Sequence, residues 1–305
     1  MIKLFEEDFG DVKNRTQLLK LQEKFPNHNI SYLSISSGIP LRKVKLWMEK
    51  LWVLCRDYLD SNFSDIKTLG HFYQRSWELY LCATLICRGY NLIKHKTGPD
   101  FKIKVENNTL WIEAIAVNKG EADDRVPDIA WGKAMDVPES EMLLRLTAGL
   151  YKKYQGYCSY IKSGVVRDNE PYVIAINRSE LEHLDGSNPL ILNCLFGIGP
   201  QVLVLSKSKS ESKIEGSFWS RRDRVSKKSG AEVPMSFFDD HNHQGISAVL
   251  YVNQNIANSP RNSREMGDHF TIVLNPYAKN PLPKGFLNFG NIWIKEGDVV
   301  RKIEL

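Results

Sequence analysis

Two carboxylate residues, Asp100 and Glu113, stand where a β-hairpin could bring them together. The segment Gly98–Val117 reads GPDFKIKVENNTLWIEAIAV. Its two halves alternate or are rich in β-branched residues, and the Asn-Asn pair at 107–108 tolerates the backbone angles of a two-residue turn. The segment therefore predicts a hairpin with one acid opening its first strand and another inside its second. Carboxylate oxygens that converge in this way would bind Mg²⁺ or Mn²⁺.

The register of the hairpin decides which side chains share a face. With the turn at 107–108, Lys102 faces Glu113 and Asp100 faces Ile115, so all four lie on one face of the ribbon. Asp100 and Glu113 are then diagonal neighbours, about 7–8 Å apart at the backbone. The alternative is a simple cross-strand ion pair between Lys102 and Glu113. However, the surrounding strand is apolar on both faces, as in a buried central strand, and a carboxylate there needs a strong partner.

Two helices must position the groups around this hairpin. The first is predicted from Leu69 to about Arg88, with Gly89 in the expected cap position. It is apolar on nearly every face, so it should be buried, and Glu78 within it needs a partner.

The second helix is predicted over Glu139–Tyr157. Arg145, Gly149 and Lys153 align along one flank of its apolar stripe at a spacing of four residues. Lys153 borders the core and could carry its ammonium to a sheet edge, whereas Lys152 points more toward solvent.

Short apolar or β-branched runs after this helix predict further strands of the same sheet. A hairpin, a helix and then more strands indicate the α/β class, with a mixed β-sheet flanked by helices. The predicted strands are Tyr172–Asn177, Gln201–Leu205, Ser247–Asn253, His269–Leu274 and, at an edge, Phe286–Ile294.

The first 65 residues predict a separate helical subdomain, and residues 66–305 predict the α/β domain. Ile30–Ser36 and Leu41–Leu54 resemble a helix-turn-helix, with Gly38 in the turn. A basic outer face on the second helix would then meet DNA, although helical hairpins of this kind are also common in proteins that bind no DNA. The residues predicted to contact nucleic acid there are Arg42, Lys43 and Lys45.

Charge and composition narrow the class of protein. With 305 residues, 42% of them hydrophobic and 25% charged, the chain is globular. It has no apolar run long enough for a membrane span and no signal peptide, so a cytoplasmic location is expected. The net charge of +5 is uneven, with a basic segment at 206–230. That segment predicts a mobile loop in which Arg221 and Arg222 contact nucleic acid, or else a solvated linker.

Glu78 on a helix, G-P-D-F at Gly98–Phe101 and I-E-A at Ile112–Ala114 together resemble the PD-(D/E)XK nuclease superfamily. The resemblance covers about Leu69–Asn177 and implies a restriction-endonuclease-like core. It also implies a metal-dependent endonuclease that hydrolyses phosphodiester bonds, most readily in DNA, with Mg²⁺ or Mn²⁺ as cofactor. The residues so implied are Glu78, Asp100 and Glu113 around the metal, with Asp100 and Glu113 as its ligands and the Ala114 carbonyl as a further one.

One position departs from the motif. The lysine expected two residues after the strand acid is replaced by Ile115. Some members of the superfamily supply this lysine from the following helix, which makes Lys153 the first substitute and Lys152 the second.

Other functions fit parts of the sequence. A DNA-binding regulator on a degenerate nuclease fold would use the N-terminal helices and the basic segment without cutting. An RNA-directed nuclease could stack bases on Phe218 and Trp219. The run at 239–243, Asp-Asp-His-Asn-His, could bind a metal of its own. The superfamily resemblance makes a homodimer possible, although the sequence carries no clear dimerisation signal.

Overall fold

The computed structural model describes residues 3–105, 108–121, 123–130, 132–186, 188–207 and 212–303. All helices that the sequence predicts are present in it. The helix predicted from Leu69 starts at Phe72, and the helix predicted over Glu139–Tyr157 continues to Ser163. Within the described residues the α-helices are α1 (Arg15–Lys24), α2 (Ile30–Ser37), α3 (Arg42–Cys55), α4 (Phe72–Cys87), α5 (Glu139–Ser163) and α6 (Ile191–Phe196).

The strands form one large sheet and two separate hairpins. In chain order they are β1 (Asn91–Ile93), β2 (Phe101–Val105), β3 (Asn108–Ala116), β4 (Tyr172–Asn177), β5 (Ile198–Lys207), β6 (Ser212–Arg221), β7 (Arg224–Ser226), β8 (Glu232–Pro234), β9 (Ala248–Val252), β10 (Thr271–Leu274), β11 (Asn291–Glu296) and β12 (Val299–Ile303). The large sheet has the order β1-β2-β3-β4-β9-β10-β11-β12, whereas β5 pairs with β6 and β7 with β8.

The large sheet is mixed, which confirms the predicted α/β class. Strands β1, β2 and β3 are antiparallel, β3, β4 and β9 are parallel, and β10 and β11 are parallel. Helix α5 forms the crossover between the parallel neighbours β3 and β4, as such connections require.

Helices cover both faces of this sheet. On one face α4 and the N-terminal helices share a hydrophobic cluster with Ile112 and Val173. On the other face α5 and α6 share a second cluster with Ile115 and Ile174. A short 3-10 helix over Phe63–Lys67 lies between the N-terminal helices and α4, and its Phe63 and Ile66 are buried in the first cluster. The N-terminal helices therefore pack on the sheet instead of standing apart from it.

The hairpin predicted from the sequence is present as β2 and β3, but in a different register. Val105 pairs with Asn108, and Lys102 pairs with Trp111, where the predicted register pairs Lys104 with Trp111. The prediction of a turn at 107–108 is wrong because Asn108 already belongs to β3; residues 106 and 107 lie outside the described part of the chain.

The shift is by two residues, so each side chain keeps its predicted face. Lys102 now lies over the Trp111 ring, with its ammonium 4.8 Å from the ring centre. Continued by one pair beyond Phe101 and Ile112, the observed register brings Asp100 opposite Glu113 instead of diagonal to it. The structure thus brings the two acids closer along the ribbon than the sequence predicts.

The segment from Gln201 to Ser226 also differs from the prediction. Gln201–Leu205 does not extend the large sheet, because it belongs to β5, which pairs with β6. Residues 206–230, predicted as a basic loop, contain all of β6 and all of β7. The alternating and apolar residues of V-L-V-L and S-F-W favour strands here despite the surrounding serines and lysines.

Within the described residues, no helix is long and apolar enough to cross a lipid bilayer.

Candidate active site

Glu113 and Lys153 form the centre of the candidate site. Glu113 lies in the middle of β3 on the face that α5 covers, and its carboxylate is buried. Lys153 on α5 reaches down to it, and the ammonium Nζ donates to Oε1 of Glu113 at 2.6 Å. Lys152, the preceding residue, is exposed. An ammonium group from α5 therefore reaches the strand that carries Ile115.

Gly149 lets α5 approach the strand this closely. It lies one turn before Lys153, and a Cβ built on it would stand 2.8 Å from Cγ1 of Val117 and 3.7 Å from Cδ1 of Ile115. Real Cβ atoms do not come that close to a methyl group, so any larger residue would push the helix away from the end of β3. The short distance between Lys153 and Glu113 depends on this glycine.

Asp100 is fixed at the mouth of the hairpin. Its Oδ2 accepts a hydrogen bond of 2.6 Å from the backbone N–H of Ala114, one residue beyond Glu113. Gly98, two residues before it, has a φ of 121°, in the region that glycine alone adopts readily, and a Cβ built on it would stand 3.0 Å from Cγ1 of Val165 and 3.2 Å from the Trp111 ring. The loop conformation and the strand together aim the Asp100 carboxylate at the same place as Glu113.

Glu78 enters from the opposite face of the sheet. It is buried on α4, and each of its carboxylate oxygens accepts a hydrogen bond from its own helix. Gln74 Nε2 donates to one at 2.8 Å, and Arg75 Nη1 donates to the other at 2.9 Å. Arg75 is itself held by Asp65, whose two oxygens lie 2.8 and 3.1 Å away. Gln74 and Arg75 thus hold the Glu78 carboxyl group in one orientation beside the site.

Gln74 is a residue that the sequence analysis does not identify. Its amide nitrogen also donates to the carbonyl of Ala114 at 3.2 Å, and its amide oxygen accepts from the N–H of Ala116 at 2.7 Å. One side chain therefore ties α4 to two backbone groups of β3. Its only sequence signal is its position one helical turn before Glu78, which is too weak to separate it from other polar helix residues.

Burial and the charge of Asp100 raise the pKa values of the other two acids. Burial and the neighbouring charge of Asp100 raise the pKa of Glu78 to about 7, and the same two causes raise that of Glu113 to about 7. Burial also raises the pKa of Asp100. The positive charge of Lys153 opposes this shift, because it lowers the pKa of both Asp100 and Glu113. Lys153 and Arg75, which Asp65 also engages, do not fully neutralise three carboxylates, so the site favours one more cation or added protons.

Two buried atoms at this site have no hydrogen-bond partner among the described residues: Oε2 of Glu113 and the hydroxyl of Tyr172. The charges of Glu113 and Asp100 raise the pKa of Tyr172 beyond the effect of its burial. Buried polar atoms without partners are rare and call for a bound group. Asp100, Glu113 and the Ala114 carbonyl offer the oxygen ligands that a divalent cation prefers. In the described part of the chain, however, no three His, Cys, Asp or Glu side chains form a metal-binding group, so such a cation would rest on two carboxylates and backbone or water oxygens.

Two clefts open beside the carboxylates. We call the first the basic cleft: it has a volume of about 400 Å³ and is lined by the flank of α5, including Arg145, Lys152 and Lys153. The second, the acidic cleft, has a volume of about 470 Å³ and is lined by Glu78 and Asp100. Asp65 in the basic cleft is already paired with Arg75, so the remaining charge there is positive.

The side chains predicted to contact nucleic acid lie outside the two clefts, and only some of them are exposed and without a strong partner among the described residues. On α3, Lys43 is exposed and Arg42 pairs with Asp11 at 2.9 Å in an exposed contact. Lys45 does not point outward, because its ammonium donates to the Ser36 carbonyl at 2.7 Å.

Both arginines predicted in the basic segment are paired with acids. Arg221 contacts Asp239 at 2.5 Å, and Arg222 contacts Glu139 at 2.9 Å. These pairs hold the foot of the β5–β6 hairpin to the body of the protein.

The run at 239–243 is held by its own contacts. Asp239 pairs with Lys295 at 2.5 Å, Asp240 accepts from the N–H of Asn242, and the His243 ring stacks on Phe237. These residues are oriented in different directions, which accounts for their failure to form a metal-binding group.

No family model matches the chain, and no curated protein and no solved structure matches it at a significant level.

Proposed function

We propose that the protein is a metal-dependent endonuclease of the PD-(D/E)XK type, with a restriction-endonuclease-like core and DNA as its substrate. The observation that carries the proposal is the contact between Lys153 and Glu113. It supplies an ammonium to the acid pair although β3 carries Ile115 at the motif's lysine position. If the ion pair between Lys153 and Glu113 were purely structural, the neighbouring Asp100, which adds a second negative charge, would have no explanation.

Asp100 and Glu113 would hold Mg²⁺ or Mn²⁺, with the Ala114 carbonyl as a further oxygen ligand. The cation would supply Lewis-acid activation of the phosphodiester and a water of lowered pKa. Its ligands are fixed in advance, because the N–H of Ala114 holds Asp100 and the ammonium of Lys153 holds Glu113. The site therefore needs little rearrangement to bind it.

Lys153 would orient the attacking water and stabilise negative charge on the phosphate. Its ammonium has three N–H donors, one of which bonds to Glu113, so two remain to face the basic cleft. Glu78, held by Gln74 and Arg75, would accept a hydrogen bond from water at the other side of the site.

The basic cleft would hold the phosphates that flank the reacting one. The guanidinium of Arg145 is held at the cleft wall, where it donates to the carbonyl of Asn118 at 2.9 Å. The side chain of Lys152 is exposed. Arg42 and Lys43 on α3 would add more distant phosphate contacts, as expected for the second helix of a helix-turn-helix.

The test is cleavage of supercoiled plasmid by the purified chain in Mg²⁺, in Mn²⁺ and in chelator. We expect nicked and linear products with either metal and none with chelator. Asp100→Ala should abolish cleavage, while Asp298→Ala, in the exposed turn between β11 and β12, should leave it unchanged. Cleavage that persists in Asp100→Ala would falsify the proposed site.

A DNA-binding regulator remains the second candidate, because Lys43 and Arg42 are exposed on α3. Tight binding of DNA by the wild-type protein with no cleavage in either metal would favour it. Parallel assays on single-stranded DNA and RNA distinguish the two substrate classes, since exposed Phe218 and Trp219 offer stacking surfaces for bases.

A further inference from the structure

The β5–β6 hairpin exposes apolar side chains along its whole described length. Leu203 and Leu205 are 53% and 57% exposed, and Ile214 and Phe218 on the opposite strand are 59% and 54% exposed. Val202, Leu203, Val204 and Leu205 are consecutive, so they alternate between the two faces of the ribbon, and neither face is covered.

An isolated ribbon of this kind needs a partner. Among the described residues, β5 and β6 form hydrogen-bonded ladders only with each other. A two-stranded hairpin is marginal in water on its own. Natural edge strands that stay unpaired are usually protected by charges or proline. Within residues 201–205 and 214–220 the only charged side chain is Glu215 and there is no proline; Pro200, Lys207, Lys213 and Arg221 stand at the ends of the strands.

The charges at the ribbon argue against nucleic acid as that partner. The arginines at its foot are engaged with acids: Arg221 with Asp239, Arg222 with Glu139, and Arg224 with Glu232. A phosphate backbone would have to displace these pairs. Bases could stack on Phe218 and Trp219, but the aliphatic side chains of residues 202–205 and of Ile214 fit an apolar protein surface.

An apolar groove lies at the foot of the same ribbon. Its volume is about 240 Å³, and Val137, Met142, Leu184 and Trp219 contribute to its lining. Leu184 is 82% exposed, the highest value for any large apolar side chain described. One surface therefore carries both an apolar projection and an apolar groove.

We propose that the chain forms a two-fold homodimer in which the β5–β6 ribbon of each copy packs across the other and places one or two of its apolar side chains in the other's groove. A two-fold interface requires a self-complementary surface, and a projection beside a groove provides one. Ten residues per strand give each ribbon a length of about 30 Å. With a width of about 10 Å and both faces covered, two ribbons present on the order of 1,200 Å² for burial, in the range of stable interfaces. This proposal does not rest on nuclease activity.

Sedimentation equilibrium of the full chain at micromolar concentration tests the dimer. We expect the wild type to be a dimer and Leu203→Lys/Leu205→Lys to raise the dimer dissociation constant by at least about 100-fold. Leu46→Lys on α3 is the matched control, because Leu46 is 59% exposed as well. A monomeric wild type, or a double variant that stays dimeric, overturns the proposal.

A mixing experiment tests the reciprocal arrangement. Leu184→Lys should also give monomers, because it blocks the groove while leaving the ribbon intact. Mixed with the ribbon variant, it should form heterodimers, since one intact ribbon then meets one intact groove. Two variants that each fold, by circular dichroism, yet form no heterodimer would contradict the exchange of ribbons.

Discussion

The ammonium of Lys153 lies 2.6 Å from Oε1 of Glu113, although the two residues are 40 positions apart in the chain. The contact joins the buried middle of β3 to the helix that follows it. Because the carboxylate is buried and its other oxygen has no hydrogen-bond partner among the described residues, this lysine stabilises the charge of Glu113. In the proposed function it would lie beside the reacting phosphodiester.

Replacing Lys153 by methionine should separate catalysis from binding. We expect Lys153→Met to lower the rate of metal-dependent cleavage by about 10²–10³-fold, the usual loss for one group that stabilises a transition state. Lys152→Met should instead weaken substrate binding with a smaller effect on turnover. Single-turnover cleavage at saturating protein measures the first effect, and the dependence on protein concentration measures the second. Equal losses in both variants would contradict the role given to Lys153.

The free energy of unfolding of the metal-free protein should fall as the pH rises from about 4.5 to 7. The pKa of both Glu78 and Glu113 is about 7 in the folded protein, against 4.5 for the unperturbed group. Between these values the folded state holds more protons than the unfolded chain, so its stability is highest below the window and is lost across it. Each group contributes up to about 1.4 kcal/mol per pH unit.

Urea denaturation at several pH values in chelator measures this slope. Glu78→Gln/Glu113→Gln should flatten it, because an amide does not titrate. A slope that is unchanged in the double variant would show that other groups cause the pH dependence.

Metal binding should be measurable without any substrate. Isothermal calorimetry at pH 7 should show Mg²⁺ or Mn²⁺ binding accompanied by proton release, since a cation and a proton compete for the carboxylates. Asp100→Asn should remove the binding, and Asp298→Asn should retain it. Binding of equal strength in both variants would place the cation elsewhere.

The two glycines of α5 should respond to alanine in opposite ways. Gly156→Ala has room, with its nearest neighbour 3.9 Å from the new Cβ, and should stabilise the protein by up to about 1 kcal/mol. Gly149→Ala places a Cβ 2.8 Å from Val117 and should cost about 1–3 kcal/mol. It should also reduce cleavage by moving Lys153 away from Glu113. Thermal melting and plasmid cleavage of both variants provide the comparison.

Salt dependence should report the phosphate contacts. For metal-free protein and a DNA duplex, the slope of log K against log salt should become less steep by about 1 for each phosphate-binding cation that is removed. We expect a change of about 2 for Arg42→Ala/Lys43→Ala and of about 1 for Lys152→Ala. Lys302→Ala, on the strand β12 at the far edge of the sheet, should leave the slope unchanged. Variants on α3 that behave like Lys302→Ala would remove that helix from the DNA interface.

The sequence predicts those elements whose own residues determine them. The strand Tyr172–Asn177 has the predicted bounds because its six residues are buried and mostly β-branched or aromatic. Helix α5 begins at the predicted Glu139, although it runs on to Ser163. The short edge strands β1 and β12 were not predicted, because three to five partly exposed residues carry little periodicity.

Partners distant in the chain are predicted less well. The face on which Asp100 and Glu113 lie follows from alternation, but their register does not, because a shift by two residues preserves every face. The prediction that Gln201–Leu205 joins the large sheet was wrong for a similar reason, since its apolar residues fit either that sheet or an independent hairpin. The contacts of Gln74 join α4 to β3 across 40 residues, and no local pattern encodes them.

The position of Ile115 has a further consequence. This side chain lines the basic cleft together with Lys153, so the strand and the helix both reach one small volume. A positive charge in this volume could therefore come from position 115 on the strand or from position 153 on the helix. A paired exchange, Ile115→Lys with Lys153→Ile, would move the charge from one support to the other, and a protein of this architecture could change the residue that carries its chemistry without changing its shape.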